Sequence, residues 1–151
     1  MDYDQQVDET YYNLIKVFLA QSESAVEIST TIADHSEDKV LTGDYIIAGL
    51  VYRLMVPMTD IEMKDSLDKA ERLLDPEDSG EEDVDEDEEE ITQCEEVKVS
   101  HKIKTNHCNC DICSKVRACI CNYPNHVCPD ELSQKFKDSI ESTCKKFLIT
   151  I

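Results

Sequence analysis

Apolar or small residues recur at positions 7, 11, 15, 18, 22, 25, 29 and 32, in steps of three and four with no glycine or proline between them. That spacing lines one face of a helix and predicts a single helix over residues 7–34, about 40 Å long at about 1.5 Å rise per residue. A helix of that length cannot bury its stripe against itself, so it needs a partner. The polar run Ser36-Glu37-Asp38-Lys39 breaks it. Thr42 and Asp44 then offer a hydroxyl cap and an acid for the positive end of a second helix. Tyr45, Ile46, Ile47, Leu50, Val51, Leu54 and Met55 make that helix apolar around most of its circumference, and Pro57 ends it. Thr59-Asp60-Ile61-Glu62 is a capping-box pattern opening a third helix, whose stripe is Met63, Leu67, Ala70 and Leu74.

The pattern changes after residue 96. Val97, Val99, His101 and Ile103 alternate with Lys98, Ser100, Lys102 and Lys104, which predicts a strand with one basic face. Asn122-Tyr123-Pro124-Asn125 is turn chemistry. Pro129-Asp130-Glu131 reads as the first turn of a helix, with proline at its first position and acids at its positive end. Leu132, Phe136, Ile140 and Phe147 are its apolar face, with Thr143 or Cys144 between. The expected fold class is mainly α: a helical pairing module over residues 1–74, then a small Cys-rich α+β metal module over 97–151.

Charge separates these two parts. The chain of 151 residues carries a formal charge of −19, unevenly placed. Residues 1–74 hold fifteen acids and six bases (−9), 75–96 hold fourteen acids and no bases (−14), and 97–151 hold five acids and nine bases (+4). Like charges repel in the middle block and Val84 and Ile91 are almost its only apolar groups, so it reads as a disordered acidic linker. A phosphate backbone needs a basic footprint, so nucleic acid is disfavoured as a direct partner. The run Glu86, Asp87, Glu88, Glu89, Glu90 suits instead a basic protein, or serves only solubility. No apolar stretch approaches the roughly 20 residues of a membrane span.

Chemistry concentrates in one place. Cys108, Cys110, Cys113, Cys119, Cys121 and Cys128 fall within twenty-one residues, flanked by His107 and His126. Four such ligands close a tetrahedral zinc site, so the donors suffice for one site and could fill two. Cys110-x2-Cys113 has zinc-knuckle spacing, while Cys119, Cys121, His126 and Cys128 compete for the second pair. The candidate metal ligands are therefore Cys108, Cys110, Cys113, Cys119, Cys121, His126 and Cys128. A disulfide framework is the rival, but the start of the chain lacks a basic region followed by an apolar one, so no secretory signal is expected and the thiols should stay reduced. Unpartnered core cysteines are the other rival, and the polar run Asn106-His107-Cys108-Asn109-Cys110-Asp111 does not suit a core strand.

Catalysis finds little support. Thiolate-rich zinc sites are usually closed and structural. With Gly43, Gly49 and Gly80 as its three glycines, the chain has no phosphate-binding loop. His35, at a helix end, reads as a C-terminal cap rather than a base. No enzyme is expected, and an enzyme using the Cys/His cluster is the third-ranked reading.

Residues 34–50, Asp34-His35-Ser36-Glu37-Asp38-Lys39-Val40-Leu41-Thr42-Gly43-Asp44-Tyr45-Ile46-Ile47-Ala48-Gly49-Leu50, resemble the end of the long central helix, second loop and final helix of histone-fold proteins, both core histones and histone-fold transcription factors. The resemblance implies that residues 40–42 form a short loop strand and that Tyr45, Ile46, Ile47 and Leu50 face a partner subunit. It departs from that family in the two-residue spacing of Thr42 and Asp44 and in a loop with Lys39 as its one base, so DNA contact does not carry over. The acidic tract, the run from Asn106 to Cys113 and the terminal helix after Pro129 resemble small acidic Cys-rich proteins of large DNA viruses. Together these imply an intracellular adaptor, nuclear or cytoplasmic, that pairs with itself or another helical chain and binds histones or other basic proteins. The alternative they imply is a zinc-stabilised scaffold component of a virus factory or virion.

Overall fold

The computed structural model describes residues 3–75 and 99–151. It is mainly α-helical: α1 (Tyr3–Asp34), α2 (Gly43–Met55), α3 (Asp60–Leu74), β1 (His101–Lys102), α4 (Asp111–Asn122), a 3-10 turn (Tyr123–Asn125), α5 (Glu131–Lys146) and β2 (Ile149–Thr150). The acidic block over 75–96, with Glu86, Asp87, Glu88, Glu89 and Glu90, lies outside the described residues apart from Asp75.

The predicted caps form as expected. The Thr42 hydroxyl accepts from the Tyr45 amide (3.3 Å) and the Thr59 hydroxyl from the Glu62 amide (3.3 Å). Each satisfies one backbone donor that a helix start leaves open. At α5 the start is shifted by two residues from the expectation, which had Pro129 as the first helical residue. Asp130 is the N-cap, its carboxylate accepting from the Ser133 amide at 2.7 Å, and Pro129 stands before it. A carboxylate accepts that amide proton better than the Cys128 thiol that a proline at the first position would leave at the cap, which is the reason for the shift.

Helix α1 buries a different set from the one its periodicity suggested. Its buried positions are Ala20, Ser24, Ala25, Ser29, Ile32 and Ala33, all in its second half. Val7, Tyr11 and Ile15, expected in the stripe, are exposed because α2 and α3 pack only along the lower part of the helix. Small residues dominate the buried set because α2 crosses closely there. A Cβ added at Gly49 would stand 2.2 Å from Ser29 Oγ and 2.4 Å from the Ala25 carbonyl oxygen. At the other side Arg53, buried on α2, reaches Glu62 of α3 at 3.2 Å.

One hydrophobic core draws on both sides of the acidic block. Ile32, Tyr45, Ile47, Ala48 and Val51 from the first segment meet Ile103, Val116, Ile120, Tyr123, Phe136 and Ile140 from the second. Residues 1–74 and 97–151 are thus separate in charge and pattern but share their apolar interior. Of the α2 residues expected at a partner interface, Tyr45 and Ile47 are buried in this core and Leu50 packs against it, while Ile46 is exposed. Two elements differ from expectation. Residues 111–122, within the Cys-rich stretch where no helix was expected, form helix α4. The strand expected up to Ile103 reduces to two residues, because its parallel partner β2 is only two residues long (His101 opposite Ile149, Lys102 opposite Thr150). Among the described residues no helix is long and apolar enough to cross a membrane.

The second segment is also fastened to α2 by a polar clasp. His101 Nε2 lies 3.0 Å from both Asp44 carboxylate oxygens, its Nδ1 lies 2.9 Å from the Val99 carbonyl, and the Lys104 amide donates to Asp44 at 2.8 Å. Both ring nitrogens face acceptors, so only the doubly protonated imidazolium satisfies both. The Val99 carbonyl, and then Asp44, accordingly hold the His101 pKa above its ordinary 6.5. A pKa raised on folding means the clasp contributes fully below the unfolded value and is lost as pH rises through the folded one. Stability should therefore fall as pH climbs past the neutral side of 6.5, and His101→Gln should flatten that fall. Urea midpoints across this window, with equal slopes in the two proteins, would refute it.

Candidate metal centre

Four donors from distant parts of the chain meet where α1 ends and α4 begins. They are His35 Nδ1 and the sulfurs of Cys108, Cys110 and Cys113, all within 4.8 Å of one another. The ring nitrogen lies 3.2 Å from Cys110 Sγ, 3.4 Å from Cys108 Sγ and 3.6 Å from Cys113 Sγ. In a tetrahedral zinc site with Zn–S near 2.3 Å and Zn–N near 2.0–2.1 Å, nitrogen–sulfur edges are about 3.5 Å and sulfur–sulfur edges about 3.8 Å. The donor set fits such an ion in number and type, and its nitrogen–sulfur separations match those edges.

Local structure explains how each donor arrives. His35 follows the last residue of α1, with its amide still bonded to the Thr31 carbonyl at 3.1 Å. The turn after it is pinned by Ser36, whose hydroxyl donates to the Ala33 carbonyl (2.6 Å) and accepts from the Lys39 amide (3.2 Å). Lys39 takes a left-handed conformation there (φ 53°). Cys110 is the N-cap of α4 and Cys113 stands in its first turn, so both sulfurs sit at the positive end of a helix, where thiolate is favoured. The Cys113 backbone N–H is the main cause that brings the Cys110 thiol down to about 6, while burial pushes Cys113 up to about 11. One thiolate is ready at neutral pH, and the buried one needs a cation to ionise it.

Behind the donors lies buried Asn106. Its Nδ2 donates to Cys113 Sγ (3.3 Å) and to the Ile32 carbonyl (2.9 Å), and Arg117 donates to its side-chain and backbone oxygens, both at 3.2 Å. Arg117 also reaches Asn109 Oδ1 at 3.4 Å. Such outer contacts orient ligands and tune their charge.

Of the residues singled out from sequence, Cys108, Cys110 and Cys113 are brought together, and Cys119, Cys121, His126 and Cys128 are not brought to this site. Cys119 lies six residues beyond Cys113 on α4, about 9 Å further along the axis, out of reach of a shared ion. It is buried in the core, Cys121 is exposed, and Cys128 is half-buried. Burial raises the thiol pKa of Cys119, Cys128 and Cys144, which keeps them protonated and unreactive. His126 is half-buried and its backbone carbonyl accepts from Lys137 at 2.8 Å. Among the described residues none of these belongs to a second group of three or more close donors. The seven described cysteines are free, with no disulfide among them.

Sequence reasoning missed His35 and Asn106. His35 stands 73 residues before Cys108, so spacing could not reveal it, and its ring turns to the thiols rather than capping α1. The available signal was a deficit: Cys108-x-Cys110-x2-Cys113 supplies three close donors and a tetrahedral ion needs four. Compared with known proteins, the chain shows no significant match to any family model, curated protein or solved structure. Neither the histone-fold nor the viral resemblance gains a relative from that comparison.

Proposed function

We propose that this chain is a non-enzymatic adaptor whose fold is locked by one structural zinc ion held by His35, Cys108, Cys110 and Cys113. The observation that carries the reading is the four-donor geometry, with nitrogen–sulfur separations of 3.2–3.6 Å. When bound, the ion would tie the end of α1 to the start of α4 and neutralise three thiolates that otherwise repel. Three sulfurs and one imidazole fill a tetrahedral shell and leave no open position, as in structural rather than catalytic zinc sites.

The adaptor role rests on charge and on free helix surface. A formal charge of −19, with fourteen acids and no bases over residues 75–96, gives a strong local negative potential. Such a field steers cationic partners and weakens over a Debye length of roughly 8–10 Å near physiological salt. Basic proteins, histones among them, are the partner class in this reading, and the chain's apolar helix face serves protein pairing.

Elemental analysis of protein purified with zinc tests the metal assignment: one zinc per chain is expected, and less than about a tenth of that after Cys110→Ser/Cys113→Ser. Purification without zinc, with the four donors chemically free and the fold equally stable, would overturn it. The partner class is tested by replacing residues 75–96 with Gly-Ser repeats of equal length. Core histones should bind the native chain more tightly at low salt than at physiological salt, and the replacement should remove both the binding and its salt dependence. Equal affinities of the two proteins would reduce the block to a spacer.

A further inference from the structure

The four donors of the metal centre are unequally sheltered. Cys113 is 1% exposed, whereas Cys108 and Cys110 are half-buried and His35 is exposed. Beside them opens a hollow of about 470 Å³ with His35, Asp38, His107 and Cys108 in its wall. A small solute therefore reaches Cys108 and His35 without any helix moving. A centre that only locks a fold gains nothing from this access, because reachable thiolates are the ones that oxidants attack.

Backbone geometry singles out one pair of sulfurs. Cys110 is the N-cap of α4, its carbonyl accepts from the Ser114 amide at 3.0 Å, and Cys113 stands in the same turn. Helix positions three apart have Cα atoms about 5 Å from each other, given a radius of about 2.3 Å and a rise of about 1.5 Å per residue. That separation lies inside the roughly 4.4–6.8 Å that a disulfide spans. Side chains on a helix lean toward its N-terminus, which turns Cys113 toward Cys110. The two sulfurs already lie within 4.8 Å of each other. Asn106 Nδ2 holds the Cys113 sulfur from behind at 3.3 Å, while the Cys108 sulfur is turned back on the Cys110 amide at 3.5 Å. Cys110 and Cys113 thus pair a reachable sulfur with an enclosed neighbour, as in an attacked thiol and its resolving partner.

We propose that the metal centre is also a redox switch, in which hydrogen peroxide joins Cys110 to Cys113 as a disulfide and expels the zinc ion. This switch rests on the zinc assignment above and adds its regulation. Sulfurs bound to the ion are thiolates. The Cys110 sulfur attacks one peroxide oxygen, the O–O bond breaks, and hydroxide leaves a sulfenic acid behind. The Cys113 sulfur then attacks Cys110 Sγ, forming the S–S bond and expelling a second hydroxide. Two protons from solvent turn both hydroxides into water. Each sulfur gives up one electron and the peroxide takes both. His35 and Cys108 alone are two donors and cannot close a tetrahedral shell, so the ion leaves. The end of α1 is then no longer tied to the start of α4.

The test adds hydrogen peroxide to the full, zinc-loaded chain at neutral pH. A chromophoric chelator reads the released metal, and mass spectrometry of peptides maps the disulfides. One zinc should leave for each Cys110–Cys113 disulfide formed, at least about 10-fold faster than without peroxide. Cys121→Ser, which removes an exposed thiol outside the centre, should release zinc at the native rate. A dithiol reductant with added zinc should restore the starting chain. Zinc retained while Cys121 is oxidised overturns the proposal. So does a bridge mapped to another pair, slower release in Cys121→Ser, or loss of the ion to sulfinic or sulfonic acids that the reductant cannot reverse. Zinc content at the outset separates the two readings. A chain that carries one zinc and keeps it removes the switch alone, and a chain that never bound zinc removes the metal assignment with it.

Discussion

His35→Ala should lower zinc affinity by more than about 100-fold, a larger loss than the roughly 10–100-fold expected from changing an outer contact such as Asn106→Ala. His35 is the one donor from the N-terminal segment, so its removal leaves three thiolates clustered within six residues. That remnant can still hold an ion, but the ion no longer joins α1 to α4. A ligand bound only by the folded state stabilises it in proportion to the logarithm of its saturation, so at fixed free zinc a 100-fold loss removes up to about 2.7 kcal/mol. For a domain of this size that is a fall of roughly 10 °C in the zinc-dependent part of the melting temperature. Cys119→Ser should leave affinity unchanged, since Cys119 sits in the core away from the donors. Competition against a chromophoric chelator gives the affinities, and melting with and without zinc gives the stability. A His35→Ala protein with native affinity would show that the thiols alone hold the ion, and the link between the two segments would fall.

Binding should also weaken in acid. Protons compete with the metal for thiolate and imidazole, so affinity falls as pH drops through the range where the free donors titrate. Cys110, drawn down to about 6 by the Cys113 amide, resists this longest, and buried Cys113, pushed up to about 11, must give up its proton when the metal binds. Metal loading at neutral pH should thus acidify an unbuffered solution, and a calorimetric enthalpy independent of buffer would contradict this.

Gly49→Ala should destabilise the fold by about 2 kcal/mol or more, although alanine is the better helix former. Helix propensity alone favours the change by about 1 kcal/mol. Against it, the new Cβ would lie 2.4 Å from the Ala25 carbonyl oxygen and 2.2 Å from Ser29 Oγ. The serine could rotate, at the cost of its 2.8 Å bond to Ala25, but the carbonyl belongs to the backbone of α1. The helices must therefore move apart, and overpacking of this kind typically costs 1–3 kcal/mol or more. Sterics win because the contact is backbone against side chain in a core that holds Ala25 and Ser29 fully enclosed. Gly43→Ala is the control. Nothing lies within 4 Å of a Cβ there, so the change should be neutral or stabilising by up to about 1 kcal/mol. Urea unfolding of both variants decides it, and a Gly49→Ala protein as stable as the native chain would mean α1 and α2 do not cross this closely.

Local chemistry carried much of the fold into the sequence. Thr42 and Thr59 have hydroxyls that cap a helix beginning at the next residue by accepting the amide three residues on, and Pro57 ends a helix in any context. These are short-range effects, readable from neighbours along the chain. The thiol cluster was legible for the same reason: Cys108, Cys110 and Cys113 are close in sequence and therefore close in space. What the tertiary structure decided depends on which distant surfaces meet. The helical period of α1 marked an apolar stripe but could not show that packing stops near Phe18, since that limit is set by the lengths of α2 and α3. Helix α4 was hidden because its cysteines were read as ligands, whereas Cys119 is a core residue that shares one cluster with Phe136 and Ile140. His35 carried no mark of its own. An imidazole at a helix end is a cap or a ligand according to what lies opposite, and only the shared core, by bringing α2 against α4 and α5, sets three sulfurs in front of it.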